Sequence, residues 1–151
     1  MKKVSNIDGL IITELDVISV PEGDVLHGMK NKDPGYFGFG EVYFSTIKYN
    51  SIKAWKRHKE MNMNLLVPVG EVRFVIYDDR KNSLTFNKFQ EVILSRSNYF
   101  RLSVPPMLWL GFQGVATTES MILNIADICH DPYEVDKVNL SKFKYNWEYF
   151  K

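Results

Sequence analysis

Two basic side chains, Lys56 and His58, stand two residues apart in the run Ile52–His58. The run has the composition of a strand and begins with apolar residues, and alternate side chains of a strand point to the same face. Lys56 and His58 would then project together into one cavity. A lysine in a poorly solvated cavity has a lowered pKa and can act as a general base beside a histidine. A solvated strand edge with four lysines and arginines between positions 53 and 59 is an equally weighted alternative.

Other residues around this run could contact a ligand. Alternation places Lys53, Trp55 and Lys59 on the opposite face of the strand, where the two lysines could pair with a diphosphate or be solvated. Trp55 and Trp109 could stack on a nucleotide base or a sugar. Core packing is the alternative for both tryptophans, and a dimer interface is a further one for Trp55. Asn64 could hydrogen-bond a sugar or close a turn.

The elements that must position these residues are strands. Short runs of Val, Ile, Phe and Tyr, separated by Gly, Pro, Asn or Asp, predict an all-β sandwich or barrel. Residues 21–40 favour a surface loop over a ligand-binding loop, and residues 131–151 predict an irregular or weakly helical segment. The predicted strands are 10–14, 17–20, 41–49, 52–58, 64–69, 71–77, 89–94, 99–104, 109–112 and 121–125.

Length and composition limit the class of protein. The chain has 151 residues, 45% of them hydrophobic, which predicts one globular domain spanning residues 1–151. Its 19 basic and 18 acidic residues give no indication of a nucleic-acid or membrane partner. Cys129 is the single cysteine, which fits a reducing cytosol. The N-terminal residues contain no apolar stretch typical of a signal peptide, so a cytoplasmic location is expected.

The position of Gly70 indicates a scaffold. Metal-binding cupins carry His-x-His, four residues, Glu, six residues and Gly, and the interval from His58 to Gly70 fits that pattern. Lys56 and Met63 occupy two ligand positions, and Leu110 occupies that of the third histidine. Since a cupin metal needs an N/O shell of three His and one Glu, we expect no metal cofactor. The pattern predicts a cupin jelly roll, the double-stranded β-helix, with altered chemistry.

Several ordered motifs, considered together, resemble the dTDP-4-dehydrorhamnose 3,5-epimerase family. The resemblance extends from about Gly9 to Trp147 and is greatest for the short, single-domain branch found among surface-polysaccharide genes. The motifs are Val42-Tyr-Phe-Ser-Thr46, Ile52-Lys-Ala-Trp-Lys-x-His58, Val67-Pro-Val-Gly70, Tyr77-Asp-Asp-Arg80, Val104-Pro-Pro106, Gly111-Phe-Gln-Gly114 and Asn124-Ile-Ala-Asp-x-x-His-Asp-Pro132.

The resemblance implies a metal-independent isomerase that binds a nucleotide-diphosphate sugar inside its barrel. In this family a 4-keto group acidifies the protons at C3 and C5. A histidine base then forms an enolate, and a tyrosine on the opposite face reprotonates it. The resemblance also implies a homodimer, with N-terminal strands from residues 1–20 in its interface, and a role in surface-polysaccharide synthesis such as that of lipopolysaccharide.

The family's functional positions carry different residues here. Its histidine base corresponds to Lys56, its second cavity histidine to Leu110, its tyrosine acid to a position near Leu123, and the acid that orients the base to Asn139 or nearby.

Two hypotheses follow from these replacements. In the first, Lys56 is the base with His58 beside it, and Tyr77, Tyr99 or Tyr43 donates the proton. In the second, the protein is a catalytically silent cupin that binds nucleotide sugars, because loss of a positioned acid or base costs about 10²–10⁴-fold in rate.

Overall fold

A computed structural model describes residues 4–150 and consists almost entirely of antiparallel strands. Within residues 4–150 there are twelve strands and two short 3₁₀ turns, Pro132–Glu134 and Leu140–Lys142. The strands are β1 (Ile11–Glu14), β2 (Val17–Ile18), β3 (Val25–Leu26), β4 (Glu41–Ile47), β5 (Ile52–His58), β6 (Met63–Val69), β7 (Glu71–Asp78), β8 (Lys88–Ser95), β9 (Phe100–Val104), β10 (Trp109–Gly114), β11 (Ser120–Ala126) and β12 (Val135–Lys137).

Ten of the strands form two five-stranded sheets. The first sheet has the order β1-β9-β6-β11-β4 and the second has the order β12-β5-β10-β7-β8, while β2 and β3 form a separate hairpin. Every neighbouring pair of strands is antiparallel. Since strands adjacent in the chain are mostly not adjacent in a sheet, the topology is a jelly roll. The predicted all-β cupin fold is confirmed.

The two sheets enclose the main apolar core. Val67 on β6 and Leu102 on β9 face Val72, Phe74 and Ile76 on β7, and none of these side chains has measurable exposure. Alternating residues of each strand turn away from this core, as the period of a strand requires. The interior of the barrel is therefore lined by the inward-facing side chains at the edge of this core.

An aromatic cluster covers the outer face of the second sheet. Trp55, Tyr77 and Trp109 project from three of its strands and are buried. The C-terminal segment lies across them, with Phe143 and Trp147 in ring contact with Trp55. This face is thus closed by the chain's own tail.

All ten predicted strands are present, with ends that differ by at most two residues. The sequence prediction missed β3 and β12. Both are two or three residues long, and β12 is the polar run Val-Asp-Lys, which shows no apolar alternation. Its strand conformation comes from pairing with β5, where Val135, Asp136 and Lys137 lie opposite His58, Arg57 and Lys56.

The loop of residues 21–40 packs against the first sheet and does not line the barrel interior. Arg101 of β9 is fully buried and donates to the carbonyl oxygens of Gly28 and Pro34 at 2.7 and 2.9 Å. It also pairs with Asp33 at 3.2 Å. The predicted surface loop is therefore held in place by a buried arginine. No helix in residues 4–150 has the length and apolar character needed to span a membrane.

The tight turn between β6 and β7 requires glycine. Gly70 has a φ of +81°, and a Cβ atom there would overlap Oγ of Ser120. We expect Gly70→Ala to lower the free energy of unfolding by about 2–4 kcal/mol, because it combines an unfavourable backbone conformation with overpacking. Urea denaturation measures this loss.

Gly23→Ala is the matched control, since Gly23 also has a positive φ, of +141°, but a Cβ there would meet no atom within 4 Å. An equal loss in both variants would show that the close approach to Ser120 contributes nothing.

Candidate active site

A cavity of about 520 Å³ opens between the two sheets at the level of β5. Its walls combine a mostly apolar surface with three lysines and a few neutral polar groups. The lining residues are Tyr43 and Ser45 on β4, Lys53 to Lys56 on β5, Met63 and Leu65 on β6, Phe74 on β7, Leu110 and Phe112 on β10, Ile122 and Asn124 on β11, and Lys137 with Val138 at the end of β12. The cavity therefore lies inside the jelly roll.

A bulge in β5 brings Lys53 and Lys56 to the same side. The register between β5 and β10 shifts there, so that Leu110 lies opposite Lys56 and Phe112 lies opposite Lys53. Three residues of β5 thus span the length of two on β10. The expectation that Lys53 lies on the outer face was wrong, because strict alternation does not hold across a bulge. Lys53 lines the cavity and donates to the carbonyl oxygen of Thr46 at 2.9 Å.

Lys56 is half-buried and has no counter-ion. None of the ion pairs in residues 4–150 includes Lys53, Lys56 or Lys137. Burial lowers the pKa of Lys56 because it penalises the ammonium form, and the neighbouring charge of Lys137 lowers this pKa further, against an opposing effect of Glu134. At any given pH, the fraction of neutral amine is therefore larger for Lys56 than for an exposed lysine.

His58 and Glu134 form a buried pair beneath Lys56. His58 is 1% exposed and Glu134 is 4% exposed, and Nδ1 of the imidazole hydrogen-bonds Oε1 of the carboxylate. The second carboxylate oxygen accepts backbone N–H groups from Lys59, Glu60 and Met61 at 3.0, 3.1 and 3.4 Å. These four contacts compensate a carboxylate that is otherwise removed from water.

The protonation of this pair follows from its surroundings. Burial lowers the pKa of His58 despite the hydrogen bond to Glu134, so the imidazole is neutral at neutral pH. Burial opposes ionisation of Glu134, but the hydrogen bonds from His58 and the backbone outweigh it and lower the pKa of the carboxyl. A neutral His58 that donates from Nδ1 carries its lone pair on Nε2. That atom is buried and has no hydrogen-bond partner in residues 4–150.

A tyrosine faces the cavity from the first sheet. Tyr43 lies opposite Asn124 in the β4–β11 register, and its hydroxyl oxygen accepts from Nδ2 of Asn124 at 2.9 Å. The orientation of the Asn124 amide is set by its oxygen, which accepts the backbone N–H of Asn64 at 3.2 Å. The hydroxyl proton of Tyr43 is thus left to donate elsewhere. Of the three tyrosines considered from sequence, Tyr43 is the one that lines the cavity.

Three aromatic residues predicted to contact a ligand form part of the protein's own packing. The rings of Trp55, Tyr77 and Trp109 belong to the cluster on the outer face of the second sheet. Trp109 donates from its indole to Asp79 at 2.8 Å, and the hydroxyl of Tyr77 donates to Asn87 at 2.8 Å. The assignment of Tyr77 and Trp109 to a substrate pocket is corrected, since neither lines the cavity. Trp55 belongs to the outer cluster and also lines the cavity.

Two polar residues predicted to contact substrate also lie outside the cavity. Lys59 extends along the outside of the barrel, where its Nζ contacts the carbonyl oxygen of Tyr133 at 3.0 Å and Asp136 at 3.6 Å. Asn64 is buried on the other side of β6, and its amide donates to the carbonyl oxygen of Gly35 at 2.9 Å. Both residues have structural partners, which the strand pattern did not reveal.

Of the positions matched to the family's functional groups, some line the cavity and others do not. Leu110 lines the cavity, whereas Leu123 alternates with the cavity residues Ile122 and Asn124 and faces outward. Asn139 caps the second 3₁₀ turn by accepting the N–H of Ser141 at 3.1 Å. Asn139 thus has a capping role, and the carboxylate of this segment that contacts a histidine is Glu134, beside His58.

Sequence reasoning missed Glu134 and Lys137, which both lie in the segment predicted to be irregular. One signal could have located Glu134. Asp131 caps the turn, Pro132 occupies its first position, and together they predict a short helical start that ends at Glu134. Nothing comparable marks Lys137, whose position depends on the pairing of β12 with β5.

The donor chemistry of the cavity does not resemble that of a metal site. Within the described range, 4–150, no group of three or more His, Cys, Asp and Glu side chains is arranged to hold a metal ion. Lys56, Met63 and Leu110 line the cavity at the positions where a metal-binding cupin has ligands.

Comparisons with known proteins relate this architecture to one group of enzymes. The structure of a dTDP-sugar isomerase from Desulfovibrio desulfuricans is 35% identical, covers 93% of this chain and 92% of its own, and superposes with a TM-score of 0.90. A dTDP-4-dehydrorhamnose 3,5-epimerase from Elizabethkingia anophelis is 19% identical over 99% of this chain and 86% of its own, with a TM-score of 0.83, and shares the fold. A probable low-salt glycan biosynthesis epimerase of Haloferax volcanii is 24% identical over 134 residues, or 87% of this chain and 86% of its own. No family model matches the sequence.

The identity to the first of these structures extends over nearly the whole of both chains. The chain therefore belongs to the dTDP-4-dehydrorhamnose 3,5-epimerase family, as its motifs predict. It is an enzyme, a sugar-nucleotide epimerase or isomerase.

The His58–Glu134 pair can be tested directly. In Glu134→Gln, the amide oxygen is expected to keep the three backbone N–H bonds, so the amide nitrogen must face Nδ1 of His58. Nδ1 then has to accept, and the imidazole proton moves to Nε2. ¹⁵N NMR of the histidine ring is expected to report an Nδ1–H tautomer in the wild type and an Nε2–H tautomer in the variant.

Glu91→Gln is the control, because Glu91 pairs with Arg73 on the outer face of the second sheet at 2.6 Å. It should leave the His58 tautomer unchanged. An Nδ1–H proton that persists in Glu134→Gln would contradict the assigned geometry.

Proposed function

We propose that the protein catalyses epimerisation or isomerisation of a nucleotide-linked 4-keto sugar in surface-polysaccharide synthesis, with Lys56 as the base that removes a proton next to the ketone. The observation that carries this proposal is the unpaired, half-buried amine of Lys56 in the wall of a largely apolar cavity. A proton on the carbon beside a ketone is acidic enough for such an amine, and the product is an enolate.

The electrostatics of Lys56 support its role as a base. Below its pKa the amine carries a proton and cannot accept another, so activity should fall on the acid side of that pKa. Because burial and Lys137 lower the pKa from its ordinary value, the neutral form persists to lower pH than in an exposed lysine. His58 does not line the cavity, and we assign it a positioning role: with Glu134 it fixes the strand pair that carries Lys56.

Tyr43 is the proton donor in this proposal. It lines the cavity from the first sheet, whereas Lys56 lines it from the second, so a sugar ring between the sheets would have one group on each side. The hydrogen bond from Asn124 occupies a lone pair of the Tyr43 hydroxyl and directs its proton away from the amide. Inversion at carbon requires removal and return of the proton on opposite faces, which this arrangement supports.

The substrate is proposed to enter with its diphosphate near Lys53, which is exposed while Lys56 is half-buried. Ammonium groups bind phosphate oxygens through charge-assisted hydrogen bonds. A neighbour of the same fold from Bacillus anthracis holds TDP and PPi, and another, from Legionella pneumophila, holds dTDP-4-keto-L-rhamnose. These ligands support a nucleotide diphosphate sugar as the class of substrate.

Catalytic silence was the alternative hypothesis, and it is not favoured. It rested on the loss of the family's histidine and tyrosine without replacement. The cavity instead contains Lys56, whose pKa is lowered, at the position of the base. It also contains Tyr43 on β4, the strand next to β11, which carries Leu123.

Deuterium exchange distinguishes these two hypotheses. Incubated in D₂O with nucleotide-linked 4-keto sugars, the wild type is expected to introduce deuterium at C3 or C5, as observed by NMR. Lys56→Met should lower the exchange rate by about 10²–10⁴-fold, because a thioether cannot accept the proton. The variant should remain folded, since it removes an amine whose charged form is penalised by burial.

Tyr43→Phe is the matched comparison at the opposite wall. It should retain exchange at the carbon that Lys56 deprotonates but form far less inverted product. Absence of exchange with every such sugar, despite measurable binding, would sink the enzymatic proposal; undiminished exchange in Lys56→Met would remove Lys56 from the mechanism.

We also propose that the protein is a cytoplasmic homodimer. The N-terminal strands, within residues 1–20, contribute to its interface; residues 1–3 lie outside the described range. Val17 and Ile18 on β2 and Val25 on β3 are 40%, 49% and 50% exposed, which is unusual for a hairpin of aliphatic residues. A second copy of the chain would cover this apolar surface.

Light scattering tests the assembly. The wild type should have twice the chain mass of 17.6 kDa, and the double substitution Val17→Lys and Ile18→Lys should shift it toward the monomer. Leu84→Lys provides the control, since Leu84 is 91% exposed and lies in the turn before β8. A monomeric wild type at micromolar concentration would refute the homodimer.

A further inference from the structure

We propose that Lys137 is a positioning residue that acts through Lys56, by holding a second positive charge directly across the strand pair from it and so keeping Lys56 in its proton-accepting form. This inference rests on the proposed role of Lys56 and adds a specific electrostatic partner from β12. It concerns a residue that no catalytic assignment includes.

The register supplies the first observation. Lys137 on β12 lies directly opposite Lys56 on β5, and both line the cavity. Directly opposed side chains in an antiparallel pair have Cβ atoms about 4.5–5.5 Å apart, and like charges in that arrangement are destabilising. The fold therefore tolerates a repulsive pair at the wall of the cavity.

The distribution of acids around β12 supplies the second observation. On the outer face, Asp136 pairs with Arg57 at 2.8 Å and with Lys59 at 3.6 Å. On the cavity face, Lys137 and Lys56 have no such partner within the described part of the chain. β12 thus provides a carboxylate to basic side chains of the neighbouring segment on its outer face, whereas on its cavity face it provides a second lysine.

The groups that face Lys56 from each surrounding element do not cancel this repulsion. On its own strand are Lys53, which donates to Thr46, and the neutral His58. The first sheet contributes Tyr43 and Asn124, which are uncharged. Glu134, the carboxylate that attracts Lys56 at longer range, already accepts from His58 and three backbone N–H groups.

The direction of the electrostatic effect agrees with this geometry. Burial is the largest of the effects that lower the pKa of Lys56, and the charge of Lys137 is the second largest. Removal of its charge should therefore raise the pKa of Lys56 and reduce the fraction of neutral amine at neutral pH.

The test uses the substrate-free protein first. The pKa of Lys56 is measured by NMR titration of ¹³C-labelled lysine side chains, with its resonance assigned by its absence in Lys56→Met. Lys137→Gln should raise this pKa, whereas Lys137→Arg should preserve it because the charge remains. Lys142→Gln is the matched control, since Lys142 is an exposed lysine outside the cavity lining.

The exchange reaction provides the second readout. Lys137→Gln should shift the acid limb of the pH profile upward and lower kcat at pH 7, because a larger fraction of Lys56 then carries a proton. An unchanged Lys56 titration in Lys137→Gln would overturn the inference, and a rise in KM alone with an unchanged profile would instead identify Lys137 as a diphosphate ligand. A shifted titration in a protein that exchanges no substrate would leave this coupling intact and refute the proposed function.

Discussion

The buried contact between Glu134 and His58 is the interaction on which the site depends. One carboxylate joins the imidazole at the end of β5 to three backbone N–H groups in the turn that follows. This contact holds the 3₁₀ turn Pro132–Glu134 against β5 and begins the pairing of β12. Without that pairing, the C-terminal segment would have no register that places Lys137 opposite Lys56.

The same strand pair separates two chemical environments. Its outer face is crowded with aromatic rings and closed ion pairs, in which Arg57 lies between Asp79 and Asp136 and over the ring of Trp109. On its inner face, Lys56 and Lys137 have no ion-pair partner among residues 4–150 and lie in the same cavity wall as Leu110 and Phe112. Charges that are satisfied on the outside contribute to structure, whereas unpaired amines on the inside remain available to a substrate.

Much of the fold could be predicted from the sequence, because apolar alternation and turn residues determine where strands begin and end. The position of the cavity at β5 also followed from Lys56 and from the interval between His58 and Gly70, but His58, predicted to share the cavity, does not line it. Three features could not be predicted. The bulge in β5 reverses the face of Lys53, and it depends on pairing with β10. Trp109 and Tyr77 have the composition of ligand contacts but are covered by a distant tail segment. The contact of Glu134 with His58 depends on tertiary packing against β5, although the cap at Asp131 and Pro132 marks the turn that ends at Glu134.

The most direct test of this account is a crystal structure of Lys56→Met with a nucleotide-linked 4-keto sugar bound. The account predicts that the sugar ring lies between the two sheets. The substituted side chain at position 56 should lie in contact with C3 or C5, at roughly 3–4 Å, and the Tyr43 hydroxyl should face the other side of the ring. A sugar ring bound outside the barrel, or one with the diphosphate against residue 56, would contradict the assignment of Lys56 as the base.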